Sequence, residues 1–111
     1  SAIDEVADSL VIGQEWKDDV RVVLFVKMAE GISLTEQLQA KIRKTIRKNA
    51  SPRHVPKKII PIDDIPYTIN MKKVELAVKK IVHGKEVRNQ DALKNPETLK
   101  LFKKIPELDE D

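Results

Sequence analysis

The apolar positions change period several times along the chain. Val6 to Ile12 (VADSLVI) is a short apolar stretch ended by Gly13, which predicts a strand. The polar run from Gly13 to Asp19 predicts a hairpin turn. Val20 to Met28 (VRVVLFVKM) is β-branched and almost continuously apolar, the pattern of a central strand buried on both faces. Glu30-Gly31 breaks that pattern. Ser33-Leu34-Thr35-Glu36 has the form of a capping box, with Ser33 capping the backbone and Glu36 reaching back. The helix that follows is expected to run to about Lys48, with Leu34, Leu38, Ile42 and Ile46 as one apolar stripe.

Ser51-Pro52-Arg53-His54-Val55-Pro56 is a stiff connector. Lys57 to Asp63 (KKIIPID) predicts a strand, and Pro61 argues for an edge position, because proline has no N–H to give a neighbour. Asp64 to Lys73 reads as a loop. Val74, Val78, Ile81 and Val82 predict a short amphipathic helix over 74–82, ended by Gly84. Beyond it, Lys85 to Lys94 is polar and reads as extended. Asn95-Pro96-Glu97 predicts a capped helix start, Leu99 and Phe102 share a face, and Pro106 is expected to stop the helix. Glu107 to Asp111 is an acidic tail expected to fray.

The expected fold is α+β in the order β-β-α-β-α. A small, mostly antiparallel sheet packs with two helices, and a C-terminal helical appendage follows. The expected division is a domain over residues 1–84, truncated at its start, and an extension over residues 85–111 with a short helix.

Composition narrows the chemistry. The chain has 111 residues and no cysteine, so a thiol nucleophile, a disulfide framework and a Cys-based metal site are excluded. His54 and His83 are too few and too separated to suggest a metal centre. The longest apolar run, Val22 to Val26, is far short of a membrane span, and the acidic Ser1-Ala2-Ile3-Asp4-Glu5 lacks the regions of a signal peptide. A soluble, cytoplasmic protein is expected. Net charge is +3 but uneven: residues 1–31 hold 7 acids and 3 bases, whereas residues 32–60 hold 1 acid and 8 bases. That basic surface suits a phosphate-bearing ligand, a nucleic acid or plain solvent.

The loop Ile65-Pro66-Tyr67-Thr68-Ile69-Asn70-Met71-Lys72-Lys73 ends in two lysines at the start of a helix. A cation there faces the positive end of the helix dipole, a local conflict of the kind expected at a functional position. The plainer reading is a solvated lysine pair. Among other candidates, Asp63-Asp64 point apart and read as turn residues, Trp16 as local packing, His83-Gly84-Lys85 as a helix end, and Arg53 and His54 as structural or interdomain.

Pro66-x-Thr68-x-x-Met71-Lys72 resembles the Pro-x-Thr-x-x-Gly-Lys motif of adenylate-forming enzymes, which include acyl-CoA synthetases, luciferases and adenylation domains of peptide synthetases. Ser51 to Pro56, Ile65-Pro66-Tyr67-Thr68, Lys72-Lys73-Val74-Glu75, Val78-Lys79-Lys80-Ile81, Asn95-Pro96-Glu97-Thr98-Leu99 and Ile105-Pro106-Glu107-Leu108 resemble the acetoacetyl-CoA synthetases in particular. The resemblance runs from about Val6 to Leu108. Met71 departs from it, since glycine is usual there, and a methionine is expected to resist a left-handed conformation by roughly 1 kcal/mol.

The resemblance implies an ATP-dependent acyl-CoA ligase acting on acetoacetate through an acyl-adenylate, of which this chain is the C-terminal lid. Lys72 is then the catalytic lysine of adenylation, and also the position at which acylation would regulate the enzyme by removing its charge. Arg43 resembles, by motif position, an arginine of acetyl-CoA synthetases that contacts the CoA nucleotide phosphates, and Arg47 or Lys48 could substitute for it. A solvated helix face explains the same basic residues. ATP, CoA and magnesium are implied for the full-length enzyme, with none bound by this fragment alone. The implied partner is the missing N-terminal adenylation domain, and the fragment on its own is expected to be inactive. The alternatives are a basic nucleic-acid-binding module, weakened by the 4% aromatic content, and a protein-interaction module built on the Asn95 to Leu108 segment.

Overall fold

A computed structural model describes residues 3–88 and 90–111. Strands β1 (Val6–Trp16), β2 (Asp19–Met28) and β3 (Lys58–Pro61) form one sheet in the order β1-β2-β3, with helices α1 (Glu36–Asn49) and α2 (Glu75–Val82). The apolar block at Val20–Met28 is the middle strand, as its two-sided hydrophobicity predicts. It pairs antiparallel with β1 and parallel with β3. β3 therefore lies at the edge, where Pro61 costs the sheet no hydrogen bond.

Each face of the sheet covers its own core. On one face Leu10, Ile12, Val23, Phe25 and Ile60 pack with Ala77 and Val78 of α2 and with Leu93, Leu99, Phe102 and Leu108. On the other, Ile3, Val6, Val26 and Ile59 pack with Leu38 and Ile42 of α1. The α1 stripe is thus used as its period predicts. Val6 and Leu10 face opposite sides although four residues apart, because a β-bulge between Val6 and Asp8 shifts the register.

Several local expectations need correction. β1 does not end at Gly13 but continues to Trp16. Gly13 is a mid-strand residue whose missing side chain makes room for Val20, since a Cβ there would lie 2.9 Å from Val20 Cγ1. The turn is only Lys17-Asp18, both at positive φ (48° and 63°), the backbone that matches the twist of a two-residue hairpin. Thr35, not Ser33, caps α1: its Oγ1 accepts the Leu38 N–H at 3.1 Å. Gly84, at φ 73°, does follow the end of α2.

The last stretch forms 3-10 turns, not one α-helix. Pro96–Phe102 is the longest, and Pro106 opens a further turn, Pro106–Asp109, instead of only ending one. Phe102 meets Phe25 edge-to-face, centroids 4.8 Å apart at 86°, an arrangement worth about 0.5–1.5 kcal/mol beyond burial. Nor does the tail fray. The buried Arg21 takes Gln14 Oε1, the Leu108 carbonyl and the Glu110 carbonyl at 2.7–2.9 Å, and its guanidinium lies 4.1 Å from the Trp16 ring centre. Trp16 Nε1 and Lys17 Nζ hold Asp111. Among the described residues, no helix is long and apolar enough to cross a membrane.

Candidate functional site

The loop after β3 is a tight hairpin with Lys72 at its end. Tyr67 and Lys73 form an antiparallel bridge that closes it. Within it Thr68 makes three bonds. Its carbonyl accepts the Met71 N–H at 2.8 Å, its N–H donates to the Lys72 carbonyl at 2.8 Å, and its Oγ1 accepts the Lys72 N–H at 3.1 Å. A turn over Thr68–Met71, then a residue at positive φ, is the three-residue hairpin loop with its bulge position at Met71. Met71 has φ 63°. The methionine therefore takes the conformation that glycine would favour, and the expectation that it resists is corrected. The Thr68 clamp and the tight turn outweigh a cost of about 1–2 kcal/mol. Met71 Sδ also receives Lys94 Nζ at 3.5 Å.

The two lysines differ in their surroundings. Lys73 Nζ pairs with Asp8 Oδ1 at 3.1 Å. Asp8 Oδ2 accepts the Tyr67 hydroxyl, so one carboxylate on β1 holds both members of the closing pair. The bulge before Asp8 turns its side chain to this face. Lys72 is exposed, and among the described residues its ammonium has no hydrogen bond or ion pair. A mobile cation fixed only at its backbone can meet a carboxylate or phosphate oxygen without first breaking an internal bond.

The other side of the hairpin is held by the chain after α2. Ile69 N–H donates to the Ala92 carbonyl at 3.0 Å, Lys94 N–H to the Tyr67 carbonyl at 2.9 Å, and Thr68 bridges Leu93. Asn95 does not cap the turn that follows it. Its Oδ1 accepts Tyr67 N–H and its Nδ2 donates to the Ile65 carbonyl, both at 2.9 Å. Just before the motif, burial pushes the Asp64 carboxyl up, but bonds from Ile65 N–H, Lys27 and the Asn95 amide hold it below its ordinary range.

Arg43, Arg47 and Lys48 lie on α1, across the sheet from the hairpin stem. Arg43 is half-buried, with Nε 3.1 Å from the Pro56 carbonyl and Nη2 3.3 Å from that of Lys57, so it fastens the connector. Arg47 and Lys48 are exposed in the last turn. His54 Nδ1 lies 2.7 Å from Ser51 Oγ within the connector. Asp64 pairs with Lys27, as a turn residue rather than half of a carboxylate pair. Among the described residues, no three His, Asp or Glu side chains converge as a metal site.

Asp8, Tyr67 and Asn95 were not singled out in the sequence. The available signal for Asp8 was a carboxylate within the apolar stretch Val6 to Ile12, which is otherwise interrupted only by Ser9. Asn95 was hidden because Asn-Pro-Glu is also a helix start.

The sequence and the fold have counterparts among known proteins. Residues 1–72 match the family described as the AMP-binding enzyme C-terminal domain. The acetoacetyl-coenzyme A synthetase of Rhizobium meliloti (strain 1021) is 58% identical over 106 residues, covering 96% of this chain and 16% of that protein. The acetoacetyl-CoA synthetase of Gallus gallus is 53% identical over 108 residues, again 96% of this chain and 16% of that protein. The solved acetoacetyl-CoA synthetase from Streptomyces lividans superimposes with a TM-score of 0.82 at 36% identity, covering 91% of this chain and 16% of that one. This chain thus spans about one sixth of the length of the relatives it matches. That family match covers more than half of the chain, and the chain belongs to the AMP-binding enzyme C-terminal domain family.

Proposed function

We propose that this chain is the C-terminal lid of an ATP-dependent acetoacetate–CoA ligase and that Lys72 serves its adenylation step. The observation that carries this is Lys72 itself: clamped at its backbone by Thr68, exposed, and free of internal partners among the described residues. The substrate carboxylate attacks the α-phosphorus of ATP, pyrophosphate leaves, and an acyl-adenylate forms. Lys72 binds carboxylate and phosphate oxygens together, orients them in line, and stabilises the negative charge that develops between them. Magnesium, when bound in the full-length enzyme, would supply further neutralisation of that charge, and its ligands are proposed to come from the N-terminal adenylation domain. The N-terminal adenylation domain carries the ATP pocket and is the partner on which this lid docks. A cytoplasmic location is proposed for the full-length protein.

The second half-reaction transfers the acyl group to the CoA thiol. Arg43, with Arg47 and Lys48 beside it, is proposed to meet the CoA phosphates. Those residues and Lys72 lie on opposite faces of the sheet. A lid that rotates between steps accounts for their separation, because one docked orientation cannot present both faces. Residues 1–84 are assigned to the lid and 85–111 to an extension packed against it. Acylation of Lys72 removes its charge and switches off the first step alone.

The test is made in the full-length protein. Lys72→Ala should abolish acetoacetate-dependent exchange of pyrophosphate into ATP while sparing thioester formation from preformed adenylate. Intact exchange refutes the assignment. Arg43→Ala should raise the KM for CoA and leave exchange unchanged. Mass spectrometry of the native protein, with activity before and after deacylation, tests the modification.

A further inference from the structure

The arm Tyr67-Thr68-Ile69 of the hairpin that presents Lys72 is bonded on both sides. Lys73 bridges Tyr67 on one side, and residues 92–94 bond to Tyr67, Thr68 and Ile69 on the other. Asn95 adds the bonds that fix its entry. Its amide spans the buried Pro66, accepting from Tyr67 N–H and donating to the Ile65 carbonyl, each at 2.9 Å. An amide offers a donor and an acceptor on one rigid group, which neither a carboxylate nor an apolar side chain of that size can do. Pro66 has no N–H, so the backbone at this corner has few other means of being pinned. Asn95 is therefore not spent as a helix cap. It sets where Tyr67 begins, Tyr67 leads into Thr68, and the three Thr68 bonds set Lys72.

We propose that Asn95 is a positioning residue for Lys72, and that the segment 92–95 makes the extension part of the adenylation apparatus. This segment lies beyond the residue, Lys72, at which the family match ends. The inference rests on the reading that Lys72 acts in adenylation.

The experiment compares both half-reactions in the full-length protein. Asn95→Ala should slow acetoacetate-dependent pyrophosphate exchange by about 10- to 100-fold, the scale of a misplaced catalytic group, and leave thioester formation from preformed acyl-adenylate and CoA unchanged. Asn95→Ser keeps a short hydroxyl acceptor for Tyr67 N–H and loses the amide donor to Ile65, without setting a second carboxylate beside Asp64. It should show a smaller loss in the same half-reaction, and it decides the matter if the alanine variant does not fold. Equal losses in both half-reactions mean a general role in the fold and overturn the proposal, as does unchanged exchange. Lys72→Ala is run alongside. If it leaves exchange intact, the reading of Lys72 fails. If it abolishes exchange while Asn95→Ala does not slow it, only the positioning role fails.

Discussion

The Tyr67 hydroxyl donates to Oδ2 of Asp8, 59 residues away in sequence, while Asp8 Oδ1 pairs with Lys73. The first strand is thereby tied to both stems of the Lys72 hairpin. Tyr67→Phe should lower the chain's unfolding free energy by about 1 kcal/mol, the usual net worth of one such bond. Asp8→Ala should cost more, about 2 kcal/mol, because the Tyr67 hydroxyl, the Lys73 ammonium and the Ser9 N–H all lose their acceptor. Denaturant midpoints measure both. Equal, negligible effects would show that the hairpin is held by its backbone bonds alone.

Met71 has the opposite expectation. At φ 63° its side chain is a liability that glycine does not carry. Met71→Gly should be stabilising or near neutral, since relief of about 1–2 kcal/mol of strain is set against the greater freedom of glycine in the unfolded chain. Met71→Val, β-branched, should destabilise clearly in thermal melts. A stable valine variant would mean that the turn has moved to another conformation.

Phe102 tests whether the end of the chain belongs to the core. It is 1% exposed and stacked edge-on against Phe25. Phe102→Ala should cost about 3–5 kcal/mol, read as a loss of cooperative unfolding midpoint for the whole chain. Release of the segment after Gly84 with an unchanged midpoint would show that it folds separately.

The response to acid follows from three carboxylates. Asp64, Glu5 and Asp111 are all held below their ordinary values: Asp64 by bonds that outweigh its burial, Glu5 chiefly by a backbone N–H, Asp111 chiefly by Lys17. A depressed folded-state value means that the unfolded chain binds more protons. The stabilisation is present above the ordinary carboxylate range and is lost as pH falls through the folded values. Melting temperature should therefore decline below about pH 4, and Asp64→Asn should flatten part of that decline. The Asp64–Lys27 pair is substantially exposed, so its share should be small and shrink with salt. Identical slopes in the variant would remove Asp64 from the account.

Much of the fold was legible because periodicity reports burial directly. The unbroken run of β2, the four-residue stripe of α1 and the valines of α2 each name the surface that they cover. Pro61 gave the sheet edge for a covalent reason. Residues with two competing uses hide their role in the local sequence. Gly13 punctuates some chains, but here it clears space for Val20 across the hairpin. Asn95 suits a helix cap, yet its amide is drawn to Ile65 and Tyr67, a pairing set by tertiary contact and invisible in the local sequence. By charge and local position Lys72 and Lys73 are equivalent, and only the motif resemblance favoured Lys72 in the sequence. Only Asp8, turned by a bulge that no pattern announces, separates the paired lysine from the unpaired one.

Arg21 grips the tail through the main-chain carbonyls of Leu108 and Glu110. Such a hold is blind to side-chain identity. The acidic character of the last residues is therefore free to drift, apart from the apolar plug of Leu108 and the Asp111 carboxylate that Trp16 and Lys17 receive. What Arg21 requires of the segment is a path along the surface, and any sequence able to follow that path satisfies it.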